Sequence, residues 1–382
     1  MDTVNLPDGR RYRLRGGTPF EVPPGPPRGR IAFAAAHVVA DPTAENGPGS
    51  RAAVDWDATL AFRRHLWRLG LGVAEAMDTA QRGMGLDYPA VRELVRRSAA
   101  EARAVRGSIV VGVGTDQLPP GPATLQQIAG AYREQLEDAL TAGATPVLLS
   151  SRHLAASATG PDDYLALYGD LLAQCDGKAL LHWLGTQFDP ALAGYWGSSD
   201  LESQAHTVLT LMKENADKIS GIKLSVLDAG FEISLRRRLP PGVRMYTGDD
   251  FHYPELIAGD EHGHSDALLG VFAVIAPAAA SALFALDRGQ PARFREIMDS
   301  TVPLARRLFW PPTQFYKTGV VFLSWLAGHQ DHFIMVGGLQ SARSPAHCAR
   351  LLELADATGL LPDAEVAAAR ARAYFAVAGV AQ

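Results

Sequence analysis

One lysine in this sequence lies where a positive charge is costly. Lys223 occurs within residues 221–228, an apolar segment that predicts a short, buried strand of a parallel sheet. Burying an ammonium group without a partner is unfavourable unless the pKa of the amine falls. A neutral, buried amine can attack a carbonyl carbon and form a Schiff base. Lys223 is therefore a candidate catalytic residue, although a lysine at a strand end can also reach solvent or pair with a carboxylate.

The scarcity of lysine adds weight to this position, because the chain draws nearly all its positive charge from arginine. A lysine within a buried strand is thus a specific feature of this sequence. The lysines are Lys178, Lys213, Lys218, Lys223 and Lys317.

A histidine interrupts the apolar segment that precedes the lysine strand. His182 lies within residues 179–184, which predict the strand just before the one that carries Lys223. Neighbouring strands would bring the two side chains within reach of each other, which suits a proton-transfer partner. A core histidine that only satisfies hydrogen bonds is the alternative.

The elements that must position these side chains alternate along the chain. Eight strand–helix units over about 250 residues predict a (β/α)8 TIM barrel. A doubly wound open sheet is the alternative, but residues 112–114 (Gly-Val-Gly) are too short to match its Gly-rich phosphate turn. We predict strands at residues 30–37, 72–78, 108–115, 145–151, 179–184, 221–228, 243–248 and 267–275. The predicted helices between them are 56–69, 88–103, 124–142, 162–175, 199–215 and 231–238.

Additions flank the predicted barrel, to which we assign residues 30–289. Residues 1–29 combine a turn between short extended pieces with a stiff Pro-rich linker, and predict an N-terminal hairpin appendage. Residues 290–382 predict a C-terminal helical extension, with its clearest helices at 294–309, 315–327 and 346–359.

The composition excludes several classes of function. The chain has 382 residues, of which 47% are hydrophobic and 20% charged, and a formal net charge of −5. This acidic balance argues against nucleic acid or an anionic membrane as partner. No run is apolar enough to span a bilayer, the first residues do not resemble a signal peptide, and two cysteines make no disulfide framework. We therefore expect a cytoplasmic protein.

Further polar residues lie at the predicted strand ends, where a TIM barrel holds its active site. Asp78 and Thr79 precede a predicted helix, so they could serve as helix caps instead of substrate ligands. The residues expected to bind substrate are His37, Asp78, Thr79, Ser150, Asp249 and Asp250.

Two segments resemble the dihydrodipicolinate synthase and N-acetylneuraminate lyase superfamily of class I aldolases. Residues 221–223 (Gly-Ile-Lys) are similar to the motif that holds the family's Schiff-base lysine. Residues 246–250 (Tyr-Thr-Gly-Asp-Asp) resemble its Ser-Gly-Asp-Asp segment on the next strand. The resemblance covers residues 30–325, is strongest after residue 221, and identifies a divergent branch. It implies that Lys223 forms the imine and that Gly248, Asp249 and Asp250 line the substrate site.

The departures from the family pattern affect substrate recognition. Where the family has Gly-Thr-Thr-Gly-Glu to hold a substrate carboxylate, residues 76–80 are Ala-Met-Asp-Thr-Ala, so Thr79 keeps one hydroxyl and Asp78 adds a charge. His182 stands near the family's proton-relay tyrosine, and Gln187 near an arginine that binds carboxylate. The resemblance thus implies Schiff-base chemistry, with a polyhydroxylated keto compound or sugar-acid derivative favoured over free pyruvate.

These observations predict a lyase or aldolase that acts on a 2-keto acid or keto-sugar derivative, with His182 moving protons. We expect no cofactor, a small-molecule substrate, and a homodimer or homotetramer as in similar family members. Two alternatives stay open: a divalent-metal-dependent isomerase or class II aldolase, and a non-catalytic barrel that binds a sugar acid. A loop with His329 and His332 also has metal-like spacing. The candidate metal ligands are His37, Asp78, His182, Asp250 and His252.

Overall fold

Eight parallel strands close into a barrel in the computed structural model, which describes residues 2–17 and 20–382. The strands follow one another around the barrel in chain order, and the last pairs with the first. The barrel strands are β3 (Ala32–Ala35), β4 (Gly72–Glu75), β5 (Ile109–Val113), β6 (Thr145–Leu148), β7 (Ala179–Leu184), β8 (Ile219–Ser225), β9 (Arg244–Thr247) and β10 (Asp266–Leu269). β1 (Thr3–Asn5) and β2 (Arg11–Arg13) form a separate antiparallel hairpin.

Helices alternate with the barrel strands and then continue beyond them, as the predicted fold requires. The helices of the barrel are α1 (Trp56–Arg68), α2 (Tyr88–Val105), α3 (Leu125–Thr141), α4 (Arg152–Ser157), α5 (Pro161–Ala173), α6 (Leu201–Glu214), α7 (Ala229–Arg236), α8 (Tyr253–Ala258) and α9 (Phe272–Asp287). The C-terminal extension carries α10 (Pro291–Leu308), α11 (Tyr316–Leu326), α12 (Pro345–Ala357) and α13 (Ala364–Val377). The TIM barrel with an N-terminal hairpin and C-terminal helices is thus confirmed.

Alternate residues of the strands fill the barrel interior, as the two-residue period of a strand dictates. Phe33, Leu180, Tyr246 and Leu268 belong to one buried cluster inside the barrel. Residues between them, such as Leu181, pack outward against the helices. The interior is therefore packed below the polar residues that follow each strand.

The last strand is shorter than predicted. The predicted segment 267–275 divides into β10, which ends at Leu269, and α9, which begins at Phe272. A continuous apolar run does not distinguish a strand from a buried helix, since both bury all their faces. The strand at residues 179–184 matches β7 at both ends.

The N-terminal hairpin packs on the C-terminal extension. Asp356 of α12 accepts a hydrogen bond from the Tyr12 hydroxyl at 2.7 Å and others from the backbone amides of Arg15 and Gly16. Met1, Thr18 and Pro19 of the predicted appendage lie outside the described residues.

The C-terminal extension also reaches the barrel mouth, by which we mean the end where the carboxyl ends of the strands meet. Gln81, in the loop after β4, donates to the carbonyl oxygen of Val336 at 3.0 Å. Gly85 in the same loop has a φ of +111°, and a Cβ there would lie 2.6 Å from that oxygen. The extension therefore contacts the β4 loop closely enough to require a glycine. No helix in the described part of the chain could span a membrane.

Candidate active site

Lys223 lies in the middle of the barrel wall. On β8 it pairs with His182 of β7 on one side and with Tyr246 of β9 on the other. The residue is only 9% exposed, and between described residues its amine makes no ion pair or hydrogen bond. Burial lowers the pKa of Lys223, while the negative charges of Asp250 and Asp78 oppose that shift. A lowered pKa enlarges the fraction of neutral, nucleophilic amine at neutral pH.

A glycine on the next strand makes room for this lysine. A Cβ at Gly248 would lie 2.8 Å from Cε of Lys223 and 2.1 Å from Oγ of Ser225. Both separations are shorter than non-bonded atoms tolerate, so any side chain at this position would displace the lysine or the serine. Gly248 thus acts by leaving space, and its predicted contact with substrate stays a prediction.

His182 lies beside Lys223 and contacts the same strand. Its Nε2 is 3.3 Å from Oγ of Ser225. Burial and the nearby lysine charge hold the pKa of His182 well below its usual value, so the imidazole is neutral at physiological pH. A neutral imidazole has one nitrogen that accepts a proton and one that donates, which suits the predicted role in proton transfer.

The two aspartates after β9 occupy different environments. Asp250 accepts a hydrogen bond from the amide of Val271 at 2.9 Å, and burial raises its pKa to about 7. Asp249 accepts from the amides of Phe251 and His252 and from Nδ1 of His252 at 2.8 Å. Asp250 is therefore the carboxyl group near the lysine amine, whereas Asp249 organises the turn before α8.

Asp78 and Thr79 begin a short 3-10 helix, Asp78–Ala80, directly after β4. The preceding Ala76 has a φ of +51°, a conformation that L-residues adopt at a cost. Asp78 is close enough to Lys223 to raise its pKa. Thr79 is buried and does not cap a helix; its Oγ1 lies 2.7 Å from the hydroxyl of Tyr316.

Tyr316 is a site residue that the sequence analysis missed. It is the first residue of α11, is buried, and stacks on Phe309 with ring centroids 4.4 Å apart. Burial raises its pKa well above the usual value, and Asp78 and Asp250 add to the shift. The same two carboxylates influence Lys223, so the phenol and the amine share one electrostatic environment. Gly270 leaves space for this ring, because a Cβ at that position would lie 3.2 Å from the Tyr316 side chain.

The next residue places a second lysine near the same carboxylate. Lys317 is 3% exposed, and its Nζ lies 3.1 Å from Sδ of Met84. Burial lowers its pKa, while the charge of Asp78 opposes the shift. Lys317 is one of the few lysines of the sequence and interrupts an apolar run just as Lys223 does.

Ser150 and Gln187 lie near the ends of β6 and β7. The Ser150 hydroxyl donates to the carbonyl oxygen of His182 at 2.9 Å, which joins the two strands above the packed interior. A Cβ at Gly185 would lie 2.5 Å from Oε1 of Gln187, so this amide folds back over the end of β7. Their predicted contacts with substrate stay predictions.

His37 lies apart from this group. Its ring packs on Phe62 of α1 with centroids 4.5 Å apart, and its Nε2 is 3.0 Å from Oε1 of Gln330. Burial lowers its pKa to about 3, aided by the charge of Arg63. The contacts of His37 are therefore with α1 and the loop after α11, and its predicted role in binding substrate stays a prediction.

The predicted metal ligands are not gathered into one place. His252 pairs with Asp249 and His37 packs on α1, so neither shares the surroundings of His182. His329 packs beside His65 with ring centroids 4.3 Å apart. Across residues 2–17 and 20–382, no group of three histidine, cysteine, aspartate or glutamate residues has a metal-binding arrangement.

Two clefts of about 700 Å³ each lie elsewhere. One is lined by Arg15, Gln290 and Arg293, and the other by Ser50, Asp87 and other loop residues. Neither is lined by Lys223, His182 or Tyr316, so cleft size does not identify the candidate site.

Comparisons with known proteins agree with this fold. A family model described as "Protein of unknown function (DUF993)" matches residues 5–380. No curated protein matches the sequence.

Solved structures of the dihydrodipicolinate synthase family superpose on most of the chain. YagE, a prophage protein of that family from E. coli K12 solved in complex with pyruvate, is 15% identical, with a TM-score of 0.67 over 87% of this chain and 99% of YagE. The 4-hydroxy-tetrahydrodipicolinate synthase from Methylacidiphilum fumariolicum SolV is 17% identical, with a TM-score of 0.67 over 89% and 99% of the two chains. Dihydrodipicolinate synthase from Oceanobacillus iheyensis is 15% identical, with a TM-score of 0.65 over 85% and 94%. The fold that the resemblance implied is therefore confirmed.

Proposed function

The chain belongs to the DUF993 family, and we propose that it is a lyase or aldolase that forms a Schiff base through Lys223. One observation carries the proposal: the Lys223 amine is buried in the barrel wall, has no partner among the described residues, and has a lowered pKa. The same fold in YagE, a protein of the dihydrodipicolinate synthase family solved with pyruvate, supports a carbonyl substrate. An identity of 15% carries the fold alone, so the support for the chemistry comes from the residues of this chain.

The reaction begins when the neutral amine attacks the carbonyl carbon of a ketone or aldehyde. A carbon–nitrogen bond forms, the carbonyl oxygen takes a proton, and loss of water leaves an iminium ion. When a base removes the proton of the hydroxyl group on the β carbon, the bond between the α and β carbons breaks, the β-carbon fragment leaves as a carbonyl compound, and the iminium accepts the electron pair and becomes an enamine. Loss of a proton from the α carbon to a base gives an enamine in the same way. A return of the proton and addition of water release the product and the amine.

Three groups support the proton transfers that we propose. His182 is neutral and adjacent to Lys223 on the neighbouring strand. Asp250 has a pKa of about 7, so near neutral pH it exists both as an acid and as a base. Tyr316 is protonated, and its hydroxyl contacts that of Thr79. We assign His182 as the proton shuttle, and Tyr316 with Asp250 as the group that protonates the departing oxygen.

The polar residues around the amine favour a hydroxylated substrate. Asp78 and Thr79 lie on the side of the mouth formed by β4, and carboxylate and hydroxyl oxygens hydrogen-bond sugar hydroxyls. We therefore propose a 2-keto acid or keto-sugar derivative with several hydroxyl groups. Asp249 would hold the turn that carries Asp250, and Gly248 would keep the amine accessible.

Borohydride trapping tests the proposal directly. The protein is incubated with a panel of 2-keto acids and keto-sugars, reduced, digested and mapped by mass spectrometry. We expect a secondary amine at Lys223 and its loss in Lys223→Met, while the exposed Lys178→Met variant behaves as wild type. An unmodified Lys223 across the whole panel would overturn the proposal.

We further propose a homodimer or homotetramer that works in the cytoplasm. Cys175 and Cys348 are both buried free thiols, which suits a reducing compartment. Light scattering on the purified protein measures the assembly, and a monomer at micromolar concentration would contradict it.

A further inference from the structure

A second buried ammonium group lies at the barrel mouth without an anion to pair with. Lys317 is 3% exposed, and no carboxylate in the described part of the chain forms an ion pair with it. Its ammonium group contacts the thioether of Met84 at 3.1 Å, a weak acceptor that does not balance a charge. The centroid of the Tyr316 ring lies 5.4 Å from the ammonium group.

The backbone around Lys317 favours the same sign of ligand. The residue lies in the first turn of α11, where the positive end of the helix dipole attracts anions. No side chain caps this helix end, and its first turn holds no acidic residue. The lysine and the helix terminus thus reinforce each other, as they do not at an ordinary surface lysine.

Among the residues that the structure describes, the charges that face Lys317 leave its ammonium group without an ion pair. Asp78, Asp189 and Arg152 are the charged groups that influence its pKa. Arg152 and Asp189 pair with each other. Asp78 acts on both Lys317 and Lys223, whereas neither lysine figures among the charges that shift the pKa of the other. Lys223 lies on β8, whereas Lys317 contacts Met84 in the loop after β4, the strand opposite β8 in the barrel, so the two amines lie on opposite sides of the mouth.

We propose that Lys317 binds an anionic group, a carboxylate or a phosphate, at the end of the substrate remote from the carbonyl. This inference rests on the proposed function, because it places the carbonyl at Lys223. The substrate is then an extended keto compound whose hydroxylated middle faces Asp78 and whose charged end reaches α11. Pyruvate is too short to contact both lysines, since its carboxylate is bonded to the carbonyl carbon.

Matched probes test this proposal. D-fructose, D-fructose 6-phosphate and D-fructuronate share a ketone and differ in a neutral, phosphate or carboxylate end. The concentration that gives half-maximal borohydride trapping at Lys223 is measured for each. We expect the better anionic probe to need about ten- to a hundredfold less than fructose, because hydrogen bonds to charged groups are the strong ones. The two anionic probes show which anion the site prefers.

Lys317→Met supplies the decisive variant, and Lys178→Met is its control. Methionine keeps the length and apolar body of lysine, and removal of an unpaired buried charge should not impair folding. We expect Lys317→Met to lose the preference for anionic probes while trapping fructose as wild type does. Lys317→Gln is also neutral and should lose the same preference for anionic probes. If Lys317→Met folds poorly, Lys317→Gln supplies the test in its place.

Binding of inorganic phosphate, measured by calorimetry, separates the two proposals. We expect binding in wild type and in Lys223→Met, and none in Lys317→Met. Phosphate binding without any adduct at Lys223 would support the anion site and overturn the Schiff-base function. Equal trapping of the three probes, or phosphate binding that survives in Lys317→Met, would overturn the anion site. An adduct on Lys317 in place of Lys223 would overturn both.

Discussion

The two sides of the barrel mouth are built from different parts of the chain. One side consists of β7, β8 and β9, where Lys223 and His182 occupy paired positions on consecutive strands. The other side receives Tyr316 and Lys317 from α11 of the C-terminal extension, which contacts the loop after β4. On the first side backbone pairing fixes the relative positions of the residues, whereas on the second those positions depend on packing between distant segments.

This difference predicts which site residues should keep their positions when a neighbouring residue is substituted. Sheet hydrogen bonds hold a strand residue in register even when one neighbour changes. A residue delivered by a packed helix is held by a few contacts, such as the 2.7 Å contact between Thr79 and Tyr316. Substitutions on the strand side should therefore act on the amine itself, and those on the helix side on later proton transfer or on affinity.

Gly248→Ala should have the largest effect, because it acts on the strand side against the lysine. The new Cβ would lie 2.8 Å from Cε of Lys223, and misplacement by an ångström can cost about a hundredfold in rate. We expect trapping at Lys223 to slow by about a hundredfold or more. Gly230→Ala, at a helical glycine with more space, is the control. Normal trapping in Gly248→Ala would show that the barrel wall tolerates the added methyl group. It would contradict the expected difference between the strand side and the helix side of the mouth.

Tyr316→Phe probes the helix side. The variant keeps the ring that stacks on Phe309 and removes the hydroxyl that contacts Thr79. We expect imine formation to persist, while exchange of the probe's α-hydrogen with deuterated water slows by about a hundredfold, the lower range for a proton-transfer group. Nuclear magnetic resonance of the probe measures the exchange.

A matched tyrosine sharpens that result. Tyr12→Phe removes the hydroxyl of a partly buried tyrosine in the N-terminal hairpin, one that donates to Asp356 of the C-terminal extension, and should leave the exchange rate unchanged. If Tyr316→Phe exchanges as fast as Tyr12→Phe, the helix side serves packing only.

Glu232→Gln should have the smallest effect on trapping and a clear effect on stability. Glu232 on α7 accepts from Thr247 and Ser265, and burial raises its pKa from 4.5 to about 8. Because the folded state holds this proton more tightly, the group's contribution is complete below pH 4.5 and is lost as pH rises through about 8. Above pH 8 the free energy of unfolding of the variant should exceed that of wild type by a few kcal/mol, and near pH 4 the two free energies should be equal.

Urea unfolding at several pH values measures this difference. Glu202→Gln, at an exposed carboxylate paired with Arg238, should unfold with the pH dependence of wild type. Parallel pH dependence in wild type and Glu232→Gln would show that Glu232 is already ionised in the folded protein. Unchanged trapping would confirm that stability and imine formation depend on separate residues.

The sequence predicted the barrel and its strand side better than its helix side. Lys223 and His182 could be paired from the order of the strands alone, because consecutive strands of a TIM barrel are neighbours. The arrival of Tyr316 beside Thr79 could not be inferred, since no periodicity relates α11 to β4. Lys317 carried the signal that identified Lys223, a lysine in an apolar run, but it lies in a predicted helix whose pattern is typical of packing.

His37 shows that the position of a residue at a strand end does not determine which groups its side chain contacts. A residue that follows a strand can turn toward the mouth or toward the surrounding helices, and only the loop geometry decides. Here Arg63 donates a hydrogen bond to the carbonyl oxygen of His37, and the imidazole ring of His37 packs on the ring of Phe62. The buried pair of Arg63 with Glu75 fixes this arrangement behind the wall.

The gap that Gly270 leaves for Tyr316 has a consequence for how the protein becomes active during synthesis. All eight strands leave the ribosome before α11 does, so a nascent barrel would carry the amine before it has the phenol. Such an intermediate could capture carbonyl metabolites without completing turnover. Synthesis of α11, rather than closure of the barrel, would then be the step that completes the site by adding the phenol to the amine.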